Sequence, residues 1–176
     1  RTLAPSADAP TICILDTGVS AAHPLIAPGL VHATAVDARW GSDDHAGDTG
    51  HGTGLASLSL FGDLEIPMND LRVVQLSHGV ESVKLLAPPG AVPTDVHSYG
   101  SVTQAAISLI EIDRPGLDRS FCLASSTARN PPTRPSSWSG AIDQAAAGSM
   151  VGERPRGVAA AQTPKRLVLI AAGNVI

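Results

Sequence analysis

Three polar residues stand where apolar segments break off, and their chemistry suits proton transfer. Asp16 follows the run Thr11-Ile12-Cys13-Ile14-Leu15, and His51 opens the run Gly52-Thr53-Gly54-Leu55-Ala56-Ser57. Asn174 comes just after Leu167-Val168-Leu169-Ile170-Ala171. A carboxylate at the carboxyl end of a parallel strand points into the crevice where open α/β sheets hold their ligands. A histidine in the first turn of a helix meets the positive end of the macrodipole, which opposes its protonation. A buried carboxylate nearby does the reverse and fixes the ring tautomer. Together these influences hold a neutral imidazole that takes up a proton and tolerates brief charge, as a general base must.

The elements that must position these groups follow from the apolar pattern. Residues 11–15 are apolar on both faces, which predicts a buried strand of a parallel sheet. Gly18 then permits a sharp turn. Residues 1–10 read as a surface lead-in, and Leu30 to Val36 as a second strand. The acidic, glycine-rich stretch from Asp37 to Gly50 carries Asp43, Asp44 and Asp48; it reads as a hydrated loop, with a cation site as the alternative. Residues 51–61 predict a helix buried on most sides. Short strands are expected within Leu71 to Leu76 and over Ser82 to Ala87, the latter ended by Pro88-Pro89-Gly90.

Val102, Ala105, Ala106, Leu109 and Ile110 fall on one face of a helix over 102–112. A strand over Ser120 to Ala124 and a loop over 125–137 follow. Trp138, Ala141, Ile142, Ala145 and Ala146 repeat the helical spacing, with Ser136 or Ser137 as N-cap. The last strand is residues 167–171. Strands alternating with helices predict one α/β domain, a doubly wound, mainly parallel sheet. On that plan strand carboxyl ends and helix N-termini share one side, so Asp16, His51 and Asn174 converge.

Composition bounds the function. With 176 residues, 43% hydrophobic and 16% charged, the chain suits one globular domain. A net charge of -4 and no basic stripe speak against nucleic acid as partner. No apolar run approaches the roughly 20 residues that span a bilayer, so no membrane partner is expected. Cys13 and Cys122 sit in apolar runs and read as buried hydrophobes rather than a disulfide or metal pair. That slightly favours a cytoplasmic over a secreted location, although localisation stays open.

The segments Ile14-Leu15-Asp16-Thr17-Gly18-Val19, His51-Gly52-Thr53 with Ala56, and Ile170-Ala171-Ala172-Gly173-Asn174 resemble the subtilisin-like serine peptidases (subtilases), in the N-terminal part of their catalytic domain. The order of aspartate before histidine, with the nucleophile last, is also that family's order. The resemblance implies a serine endopeptidase in which Asp16 orients the imidazole and His51 is the general base. Asn174 would donate its amide to the oxyanion of the tetrahedral intermediate. It further implies that Ser98-Tyr99-Gly100 and Leu123-Ala124-Ser125 pair with an extended peptide or protein substrate.

Two departures shape these expectations. The family's serine lies in a Gly-Thr-Ser segment well after the asparagine, and Ser57, Ser125, Ser126 and Ser139 have no such context. The expected object is therefore a catalytic domain truncated before its last strands and its serine, inactive alone and completed by the missing C-terminal part of the same protein. Many relatives bind calcium through an aspartate after the His-Pro pair, whereas Leu25 and Ile26 follow Pro24. Calcium is thus doubtful, and neither a cofactor nor a metal is expected. The alternative function is a non-catalytic subtilase-like module that binds peptide or a partner protein. Two other hydrolases fit less well. An aspartic peptidase needs a second Asp-Thr-Gly and an all-β pattern. A metal site from Asp16, His45, Asp48 and His51 lacks a helical ligand pair.

Overall fold

The strand carrying Asp16 is the middle of the sheet. The computed structural model of the protein describes residues 1–46, 50–69, 73–126, 134–150, 153 and 164–172. In chain order its elements are β1 (Thr2–Leu3), β2 (Thr11–Asp16), β3 (Leu30–Ala35), α1 (His51–Phe61), α2 (Glu65–Asn69), β4 (Val74–Gln75) and β5 (Gly79–Lys84). They continue with α3 (Tyr99–Asp113), β6 (Arg119–Leu123), α4 (Ser137–Ala146) and β7 (Leu167–Ile170). The main sheet has the order β3-β5-β2-β6-β7, and every pairing is parallel.

Strand β2 is apolar on both faces because both faces are covered. Cys13 and Leu15 join Val83, Leu85, Phe121 and Leu123 on the side where α3 brings Ile107 and Ile110 and α4 brings Ile142. Ile14 joins Val80 on the opposite side, against Ala56 and Leu60 of α1. Each valine, leucine, isoleucine or phenylalanine among them, fully buried, contributes about 1.5–3 kcal/mol. The expected α/β architecture, doubly wound around a mainly parallel sheet, is the one observed. Serine 136 caps α4 through a reciprocal capping box with Ser139, which takes up the hydroxyl of Ser139.

Several boundaries differ from expectation for identifiable reasons. The lead-in is not featureless, since Thr2–Leu3 pairs in parallel with Val74–Gln75 as a separate two-stranded sheet. Strand β5 begins at Gly79 and ends at Lys84 rather than spanning 82–87. Its charged residues hid that start: the buried Glu81 carboxylate accepts from Arg119 Nη2 at 2.9 Å and from Thr11 Oγ1 at 2.9 Å. Helix α1 is less enclosed than its composition implied, with Leu58 61% exposed and only Gly52, Ala56 and Leu60 buried. Cys13 is buried, while Cys122 is only half-buried; both are free thiols. Helix α3 starts at Tyr99, three residues earlier than its apolar face, because Gly100 seats it against Ala141 of α4. Among the described residues no helix is long and apolar enough to cross a membrane.

Candidate active site

Strand β2 delivers Asp16 to the carboxyl edge of the sheet, and the first residue of α1 delivers His51 to the same place. Nδ1 of His51 stands 2.8 Å from Asp16 Oδ1; the aspartate side chain is 1% exposed and the imidazole 52% exposed. A carboxylate only accepts, so in the neutral imidazole the proton sits on Nδ1 and Nε2 is the nitrogen with the lone pair. Asp16 Oδ1 also accepts from the Thr17 amide at 2.7 Å and the Thr17 hydroxyl at 2.9 Å. Asp16 Oδ2 is buried without a hydrogen-bond partner among the described residues.

The close approach of helix and turn depends on two glycines. Gly18 has φ +101°, and a Cβ there would press into the carbonyls of Ser42 and Asp43. A Cβ on Gly52 would overlap the carbonyl oxygen of Gly18. Helix α1 can therefore lie against the turn after Asp16 because Gly52 lacks a side chain, while the bare Gly18 lets the 42–43 loop close over the same turn.

Gly50, the N-cap of α1, has left-handed geometry and offers no capping side chain. The first helical amides are satisfied from elsewhere, as they must be. Gly52 N–H donates to Thr17 Oγ1 at 3.2 Å, and Thr53 N–H to Asp44 Oδ2 at 2.7 Å. Asp44 also accepts from Thr53 Oγ1 at 2.7 Å, Ala46 N–H at 3.0 Å and Thr17 Oγ1 at 2.8 Å. Burial pushes the Asp44 carboxyl up, but the donors of Ala46, Thr53 and Thr17 outweigh it and hold its pKa below the ordinary aspartate value. On the neighbouring strand Lys84 donates to the carbonyl of Trp40 at 3.3 Å. Burial draws the Lys84 ammonium below its usual pKa, against the opposing pull of Asp43 and Asp44. The acidic loop is thus more than a hydrated turn at Asp44, although Asp48 lies outside the described residues. Among the described residues no three histidine, cysteine, aspartate or glutamate side chains are grouped to hold a metal ion.

The structure places the other expected residues unevenly. Leu123 is in register with Leu15, so the chain leaves β6 level with Asp16, and Ala124 and Ser125 follow at that edge. The Leu123 side chain is buried, and its carbonyl accepts from Ala171 N–H at 3.1 Å. Ser98, Tyr99 and Gly100 lie at the start of a helix rather than in a strand. Ser98 closes a 3-10 turn, while Tyr99 and Gly100 open α3. The Tyr99 ring meets Trp138 edge-on at 5.1 Å, and Gly100 is buried against Ala141. The Tyr99 amide donates to the Val96 carbonyl, and the Tyr99 carbonyl accepts from Thr103 Oγ1 at 2.8 Å. Asn174 lies outside the described residues, although Ile170 of β7 is in register with Leu123 and the chain runs on from the same edge.

Thr17 and Thr53 lie within the quoted motifs and Asp44 within the acidic loop, but their hydrogen bonds around Asp16 and His51 had no motif to announce them. The available signal was Gly50: a helix opening on glycine, ahead of a histidine, needs its caps from another part of the chain.

Comparison with known families gives a match to the Subtilase family over residues 7–176. No curated protein and no solved structure matches the chain. A buried aspartate at the end of the central parallel strand, bonded to a histidine that opens a helix, stands within a match covering nearly the whole sequence, and the chain belongs to the subtilase family.

Proposed function

We propose that Asp16 and His51 are the orienting acid and the general base of an Asp-His-Ser triad in a serine endopeptidase. The nucleophilic serine is contributed from outside these 176 residues. The single observation that carries this reading is the 2.8 Å contact between Asp16 Oδ1 and His51 Nδ1, made by a buried carboxylate to a half-exposed ring. With Nδ1–H held by Asp16, Nε2 is free to take the serine proton as the hydroxyl attacks the scissile carbonyl and to pass it to the leaving amine. Asp16 stabilises the imidazolium formed in between. General-base assistance of this kind contributes roughly 100- to 10,000-fold.

Asn174, by its place in the family pattern, supplies the oxyanion donor, and Ala124 and Ser125 offer backbone to an extended peptide or protein substrate. The proposed chemistry requires no cofactor. The 176 residues alone have a base with nothing to activate and do not hydrolyse peptides.

Labelling with a fluorophosphonate probe tests the reading. The full-length natural protein is expected to label on serine, and the Asp16→Ala and His51→Ala variants to lose that labelling while remaining folded. Absence of labelling in the folded wild type, where a known serine hydrolase reacts, overturns the proposal. That outcome leaves a non-catalytic module that binds peptide or a partner protein.

A further inference from the structure

We infer that Asp44 is a positioning residue for the Asp16–His51 pair, joining through one carboxylate the turn that carries the acid to the helix that carries the base. The inference rests on the reading of Asp16 and His51 as a catalytic pair. Its basis is the division of labour between the two oxygens of Asp44. Oδ1 accepts from Thr17 Oγ1 at 2.8 Å, and Thr17 is the residue whose amide and hydroxyl hold Asp16 Oδ1. Oδ2 accepts from both the amide and the hydroxyl of Thr53, each at 2.7 Å, and Thr53 stands in the first turn of α1, two residues past His51. The same Thr53 hydroxyl accepts from Ser20 N–H at 3.0 Å, so the far end of the turn is pinned as well.

A helix cap alone would touch only α1. Asp44 instead spans both halves of the site, and the Thr17 hydroxyl is the junction between them. That hydroxyl has one proton and lies within hydrogen-bond reach of both Asp16 and Asp44, while its oxygen accepts from Gly52 N–H at 3.2 Å. Two carboxylates so close repel, and the arrangement holds because each is supplied with backbone donors and because Lys84 faces the acidic loop. Catalytic groups must be held to within roughly 0.5 Å by surroundings that are themselves locked. Without Asp44, Thr17 loses one fixed point, Thr53 loses two bonds, and the strand end and helix start are free to slide past each other.

The test reads the low-field Nδ1–H resonance of His51 by NMR on the full-length natural protein, together with circular dichroism to establish folding. In Asp44→Ala the signal is expected to broaden as its exchange with water accelerates about tenfold or more, with the fold retained. A folded Asp44→Ala protein whose His51 signal and exchange match wild type overturns the inference. If Asp44→Ala does not fold, Thr53→Val against Thr53→Ser decides. Loss of the signal in the valine variant with recovery in the serine variant supports the inference, and an unchanged signal in valine overturns it. Asp16→Asn separates the two levels. A His51 signal that survives Asp16→Asn removes the pair itself, whereas its loss there with persistence in Asp44→Ala removes only the role of Asp44.

Discussion

The carbonyl oxygen of Gly18 occupies the space that a Cβ on Gly52 would need, so the turn after Asp16 and the start of α1 meet backbone to backbone. The contact sets how far His51 stands from Asp16. Replacing Gly52 by alanine must push the helix outward, at a cost of about 1–3 kcal/mol for overpacking. Two residues along the same helix, Gly54 has nothing within 4 Å of a built Cβ. Gly54→Ala is expected to stabilise by about 0.5–1 kcal/mol, the difference in helix preference. Urea midpoints of the two variants should therefore move in opposite directions.

Acid stability should report on Asp44. Its folded pKa is depressed, because the Ala46, Thr53 and Thr17 donors outweigh the upward push of burial. An unfolded aspartate titrates near about 3.9. The stabilising contribution of Asp44 is thus fully present above that value and is lost as pH falls through the lower folded one. Urea midpoints measured on descending pH are expected to fall in this window for wild type and to fall less steeply for Asp44→Asn. Equal slopes would show that these donors give the ionised form no advantage.

The buried Glu81–Arg119 pair should behave asymmetrically. Removing the cation alone, as in Arg119→Ala, leaves the buried Glu81 carboxylate of β5 with Thr11 as its one remaining side-chain donor among the described residues. A loss of about 3–5 kcal/mol is expected. The double variant Glu81→Leu/Arg119→Met fills the space without charge and is expected to recover most of that loss in chemical denaturation.

Both thiols should be sluggish in the native protein. Burial, with Glu81 next, pushes Cys13 well above the usual thiol value. Burial, with Asp16 next, raises Cys122 as well. Thiolate is the reactive form, so iodoacetamide at mildly alkaline pH is expected to modify the half-buried Cys122 slowly. Cys13 is expected to react only once urea unfolds the chain. Mass spectrometry of peptides resolves the two sites, and rapid native labelling of Cys13 would contradict its placement in the core.

What the sequence made legible was what periodicity and composition encode. The apolar run ending at Asp16 marked the central strand, and the change from acidic loop to small residues at His51 marked the start of α1 to the residue. The link from Asp44 to Thr17 and Thr53 was not legible, since it is a tertiary bond between a loop and two elements, and no local pattern records it. The early start of β5 was hidden because Glu81 reads as solvent-facing until its partner Arg119 is known. Ser98, Tyr99 and Gly100 stand at the start of α3, which the apolar spacing beginning at Val102 did not reveal. That start depends on Gly100 fitting against Ala141, a contact with another helix.

The placement of β2 has a consequence for biosynthesis. It is made before both of its neighbours in the sheet, residues 79–84 and 119–123. At about 5–20 residues per second on the ribosome, the greasy ribbon from Ile12 to Leu15 waits roughly 5 to 20 seconds before both flanks exist. Closing such long loops is also slow in refolding from denaturant. The segment that carries Asp16 therefore stays exposed to other nascent chains until its second flank arrives.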